Sequence, residues 1–84
     1  MMVAVAALRL PGGEILTLPR PARHSDLLRI LRRRPGRPPA GVIQGFLDEK
    51  GDFLDRREAA RVALEAGQIG ALRWPPNLYS EDLW

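Results

Sequence analysis

The sequence predicts an α+β domain: two β-hairpins, each followed by a helix (ββα–ββα), with an antiparallel sheet covered on one side by two helices and a C-terminal tail. Three observations predict it. Residues 45–69 read as a strand, a tight turn, a short strand and a capped helix that ends at Gly67. A Pro11-Gly12-Gly13-Glu14 turn divides two apolar stretches, 2–10 and 14–18, as a hairpin does. Between these two units, Leu27, Leu28, Ile30 and Leu31 recur at helical spacing.

The elements follow in order. Residues 2–10 and 14–18 read as strands, the second with β-branched residues, and Pro19-Arg20-Pro21 ends strand behaviour because proline cannot donate to a central ladder. A helix is predicted from Ala22 to about Arg33; its apolar stripe leaves Arg29, Arg32 and Arg33 outside, and basic residues in the last turn complement the helix dipole. Residues 35–41, rich in Pro and Gly, form a stiff loop. Residues 42–47 are a third strand. Asp48-Glu49-Lys50-Gly51-Asp52 then lies between the apolar pairs Phe46/Leu47 and Phe53/Leu54, with Gly51 supplying a positive φ.

Asp55 opens the second helix. Its carboxylate can accept from the amide of Glu58 while Glu58 reaches back, a capping box. Gly67 stands where a left-handed residue closes a helix. Residues 68–74 read as extended, and Ser80 as the N-cap of a final helical turn with Glu81 and Asp82 at its positive end. The half-units 2–33 and 42–66 suggest pseudo-symmetry without a clear residue repeat.

Eighty-four residues make one domain, 1–84, able to bury roughly 60–65% of the unfolded chain's surface. Residues 78–84 form a docking tail: Tyr79, Leu83 and Trp84 are too apolar to be freely solvated, so the tail packs on the body or on a second chain. So small a core favours a homo-oligomer. With no cysteine there is no disulfide, thiolate nucleophile or cysteine zinc site, and a single histidine leaves no imidazole cluster. No metal and no cofactor is expected. The apolar run at residues 1–8 is too short to cross a bilayer, so an intracellular protein without membrane contact is expected.

Twelve of the thirteen cationic residues are arginine, which binds phosphate and carboxylate bidentately; a GC-rich genome is the alternative source of the bias. Seven arginines fall between positions 20 and 37, opposed there only by Asp26. General nucleic-acid binding ranks third among the functions, because no aromatic residue interleaves with that cluster as a stacking platform would. With no phosphate loop, nucleophile elbow or HExxH motif, an enzyme is disfavoured.

Three segments could carry chemistry. Arg23 and His24 stand at the first helix start, where guanidinium and amides can meet an anion; the alternative is that Ser25 or Asp26 caps the helix and His24 is a bystander. Arg56 and Arg57 sit in the first turn of the second helix, against its dipole, which suggests a ligand or ion-pair partner; ordinary surface arginine is the alternative. Ser80, Glu81 and Asp82 could hold a sugar hydroxyl or clamp arginines of the body. Gln68, beyond the second helix, is expected to be exposed.

The pattern Arg23-His24, Gln44-Gly45-Phe46, Gly51-x-Phe53-x-Asp55-Arg56-x-Glu58-Ala59, Ala66-Gly67-Gln68-Ile69 and Ser80-Glu81-Asp82-Leu83-Trp84 resembles a group of short phage and prophage proteins, mostly uncharacterised. The resemblance runs from about residue 20 to the end, and this chain has Ser25 where the group often has a second histidine. It implies a phage-derived accessory protein in the bacterial host cytoplasm, with a counter-defence role by analogy. The leading expectation is non-catalytic capture and sequestration of a phosphate-bearing nucleotide or other anionic small molecule, with Arg23, His24, Arg56 and Arg57 on phosphates and Gln68, Ser80, Glu81 and Asp82 on sugar or base. The alternative is a protein-interaction module inhibiting a host defence or regulatory protein, anchored by Tyr79 and Trp84.

Overall fold

The computed structural model describes residues 1–84. Strands β1 (Val3–Arg9) and β2 (Ile15–Thr17) form the first hairpin and are followed by helix α1 (His24–Arg33). Strands β3 (Ile43–Asp48) and β4 (Phe53–Asp55) form the second, followed by α2 (Arg56–Glu65) and a last short helix, α3 (Ser80–Leu83). The predicted ββα–ββα order is the observed one. All strand pairs are antiparallel, in the order β2-β1-β3-β4, so the first strand of each hairpin is central and the second is an edge.

Both turns form by the predicted chemistry. Gly13 has φ 93° and donates to Leu10 O at 2.9 Å. Gly51 has φ 88°, while the buried Asp48 carboxylate accepts from the amides of Lys50 and Asp52, both at 2.9 Å. The α2 cap is also as expected: Asp55 Oδ1 accepts from Arg57 N and Glu58 N, and Asp55 N donates to Glu58 Oε1 at 3.0 Å. At the other end, Gly67 N donates to Leu64 O and Gln68 N to Ala63 O, the paired bonds of a Schellman stop.

Alternation along the strands sends one set of side chains to the helices. Register places Leu16, Leu8 and Gln44 in one row and Ala6, Phe46 and Leu54 in the next. Leu8 and Phe46 are fully buried there with Leu27 of α1 and the small residues Ala59 and Ala63 of α2. Each such large apolar side chain contributes about 1.5–3 kcal/mol by leaving water. The opposite face, with Val5, Ala7, Leu47 and Phe53, lies outside this core cluster and carries no helix.

Three local expectations are corrected. Helix α1 starts at His24, two residues later than Ala22, because Ala22 N closes a turn on Pro19 O at 3.2 Å and Arg23 is extended (φ −110°, ψ 172°). Residues 68–74 form no strand; the segment is a run of bends that packs Ile69 and Leu72 against the core. Ser80 is the first helical residue of α3 and not its cap. Tyr79 takes the cap position, and Asp82 Oδ2 accepts its amide at 2.9 Å.

The tail packs back on the same chain. Leu78 is fully buried, its amide donates to Arg56 O at 3.0 Å, and Trp84 Nε1 donates to Ala22 O at 3.0 Å.

Candidate functional site: convergent helix starts and an aromatic corner

His24, Arg56 and Ser80 are the first residues of α1, α2 and α3. The fold brings these three helix starts together around one strand position, Gly45. Gly45 pairs in register with Asp55, the residue immediately before α2, and its carbonyl accepts from His24 Nε2 at 2.6 Å. A side chain is excluded at this position: a Cβ would meet Leu54 O at 2.3 Å and the Phe53 ring at 2.6 Å.

The polar partners of His24 determine its tautomer. A carbonyl only accepts, so Nε2 carries the proton and Nδ1 is bare. The Ser80 hydroxyl donates to Nδ1 at 2.8 Å, and its oxygen accepts the amide of His24 at 3.3 Å. The ring packs edge-on against Phe46 at 4.9 Å between centroids. Burial lowers the histidine's pKa below its ordinary value, with the Gly45 hydrogen bond opposing, Arg56 lowering it further and Glu81 raising it. His24 and Ser80 are both buried, 5% and 1% exposed, so this pair is a satisfied structural joint without an open route to a substrate.

Arg56 is held as firmly. One guanidinium nitrogen donates to Leu78 O at 2.8 Å, another to Gln44 Oε1, and the group lies 4.3 Å from the Tyr79 ring centroid. Burial disfavours its charged form, and Tyr79 and Glu81 act in the opposite direction. These partners answer the question raised by an arginine at a helix start: backbone and side-chain oxygens and a π face stabilise the cation against the dipole.

The remaining residues divide. Gln68 is half-buried and joins both ends of the chain: its Oε1 accepts from Val3 N at 2.7 Å and its Nε2 donates to Val3 O at 2.9 Å, at the irregular start of β1. Asp82 links the cap of α3 to Arg73 N at 3.3 Å. Arg23, Arg57 and Glu81 are exposed, and none takes part in an ion pair. All seven arginines between positions 20 and 37 are exposed too; Arg29 pairs with Asp26, and Arg34 holds Glu14 through two nitrogens.

One feature of the surface was not singled out from the sequence. Trp74, 52% exposed, stands edge-to-face with Tyr79 at 5.3 Å and 82°, and Glu81 lines the same open concavity. The Arg73 guanidinium is 6.0 Å from the Trp74 ring centroid. The signal available beforehand was Arg-Trp-Pro-Pro, an aromatic in a proline-stiffened loop.

No helix is long and apolar enough to cross a membrane, and no group of three or more His, Cys, Asp or Glu side chains is placed to hold a metal ion. A family model described as phage T4 y16D protein matches residues 2–84. No curated protein and no solved structure matches the chain.

Proposed function

Given that the chain belongs to the phage T4 y16D protein family, we propose that it is a non-catalytic binding protein that captures a phosphate-bearing nucleotide in the cytoplasm of the bacterial host, in a counter-defence role. The observation that carries this reading is the convergence of the α1 and α2 starts with the tail. It fixes the Arg56 cation against Tyr79, next to the exposed Trp74. Stacking surface and fixed positive charge in one place suit a ligand with a planar base and a phosphate.

Within this reading the eight candidate residues have different duties. Arg23 and Arg57, exposed and outside any ion pair, contact phosphate, and Glu81 contacts the base or sugar. His24, Arg56, Gln68, Ser80 and Asp82 position the elements that carry those contacts, through the hydrogen bonds described above. The His24–Ser80 pair supports the non-catalytic assignment, because both of its polar atoms are spent on each other and on backbone.

The protein acts as a homo-oligomer whose second copy covers the open sheet face. Support comes from the face itself: apolar Val5, Leu47 and Phe53, with the Arg9 guanidinium 4.8 Å from the Phe53 ring centroid.

Native mass spectrometry of protein purified from its bacterial host, with a thermal-shift screen of nucleotides, tests the reading. The expected result is a nucleotide-sized adduct or a Tm rise with one nucleotide class, since a ligand at 100 times its Kd adds about 2.7 kcal/mol. A clean apoprotein with no shift defeats it. A second reading, an inhibitor of a host protein, is supported by the same exposed Trp74, since tryptophan is a frequent interface anchor. Capture of a host protein that Trp74→Ala abolishes, with no nucleotide shift, favours it.

A further inference from the structure

We propose that the corner formed by Trp74, Tyr79 and Glu81 is a guanine pocket, in which the base stacks on Trp74 and presents its N1–H and N2–H groups to the Glu81 carboxylate. The proposal rests on the nucleotide reading and narrows it to one base.

The corner is pre-formed. The two rings meet at 82°. Tyr79 is fixed by the Arg56 guanidinium at 4.3 Å and by its amide bond to Asp82. Trp74 closes a turn through its carbonyl, which accepts from Asn77 N at 3.2 Å, and the adjacent Arg73 amide is tied to Asp82 Oδ1. The half-exposed indole therefore stands beside a rigid wall, and little ordering entropy is lost when a flat ligand is laid against it.

Glu81 selects among flat ligands. An ionised carboxylate only accepts hydrogen bonds, and none of the three ion pairs of the structure uses this one. The base edge that meets it must consist of donors. Guanine alone of the common bases offers two adjacent donors with no intervening acceptor. Adenine and cytosine set an acceptor beside their amino group, and uracil and thymine flank one N–H with two carbonyls, which a carboxylate repels. Charge excludes the other occupant such a corner suits, a bare cation. Arg56 lies against Tyr79, and Arg73, in no ion pair, lies beside Trp74, so a ligand that carries phosphate is favoured.

The experiment is titration of the whole protein with GMP, AMP, CMP and UMP, followed by tryptophan fluorescence and calorimetry. GMP is expected to bind roughly tenfold or more tightly than the others, the discrimination typical of a two-donor pair, and to quench the emission. Glu81→Gln is expected to lose that preference while keeping a weaker affinity for all four. Trp74→Ala is expected to lose binding of all four with its circular dichroism and Tm unchanged. Equal affinity for the four bases, or a preference that survives Glu81→Gln, overturns the guanine pocket and leaves nucleotide capture standing. No binding of any of the four overturns both.

Discussion

The Ser80 hydroxyl donates to His24 Nδ1 at 2.8 Å and accepts the His24 amide at 3.3 Å, so one buried oxygen satisfies the side chain and the backbone of the residue that starts α1. This joint ties the last helix to the first. Serine and histidine at such a distance invite a catalytic reading, but the imidazole's other nitrogen is committed to Gly45 O and both groups are out of solvent.

Removing the Ser80 hydroxyl leaves Nδ1 and an amide without partners in the interior. Ser80→Ala is expected to cost about 1–3 kcal/mol. Urea unfolding checks this: the midpoint should fall at an unchanged m-value, whereas a midpoint equal to the wild type would show that water reaches the site.

His24 should also give stability a pH dependence above the carboxylate range. Its folded pKa lies below the ordinary 6.5, chiefly because burial disfavours the cation. Above about pH 6.5 the unfolded chain is neutral as well, so the contribution is fully present. As pH falls below 6.5 the unfolded chain takes up a proton that the folded protein refuses, and stability declines by up to about 1.4 kcal/mol per unit until the folded pKa is passed. The lowered carboxyl of Asp55, held by the amides of Glu58 and Arg57, loses its contribution at lower pH, below the unfolded carboxylate value. Unfolding free energies should be level from pH 8 to about 6.5 and fall from there to 5.5 in the wild type, and lie flat throughout in His24→Gln.

Gly45 has no room for a methyl group. Gly45→Ala is expected to destabilise by about 1–3 kcal/mol through overpacking. A second change, Phe53→Leu, should recover only part of this, since the Leu54 carbonyl remains 2.3 Å from the added carbon. Full recovery would mean that the ring alone sets the limit.

Leu78 is core and not part of a detachable tail. Leu78→Ala should cost about 2–5 kcal/mol, and deletion of residues 78–84 should abolish cooperative thermal unfolding, because Arg56, His24 and Ala22 all lose partners. A deleted protein with a sharp, wild-type transition would count against this. The interaction reading anchored by Trp84 therefore cannot be tested by simple truncation; Trp74→Ala is the appropriate probe.

Elements whose causes are local were legible in the residues alone. Gly13 and Gly51 set both turns, Asp55 with Glu58 started α2, and Gly67 ended it. Each of these depends on contacts within a few residues, which spacing reveals. Which polar residues remain available to a ligand was set by packing between distant segments. His24, Arg56, Gln68 and Ser80 looked accessible because their own neighbourhoods leave them unpartnered. Their partners lie far along the chain: 56 residues separate His24 from Ser80, 65 separate Gln68 from Val3, and 22 separate Arg56 from Leu78. A buried hydrogen bond closes only when packing removes water from both ends at once, and local spacing carries no record of that event.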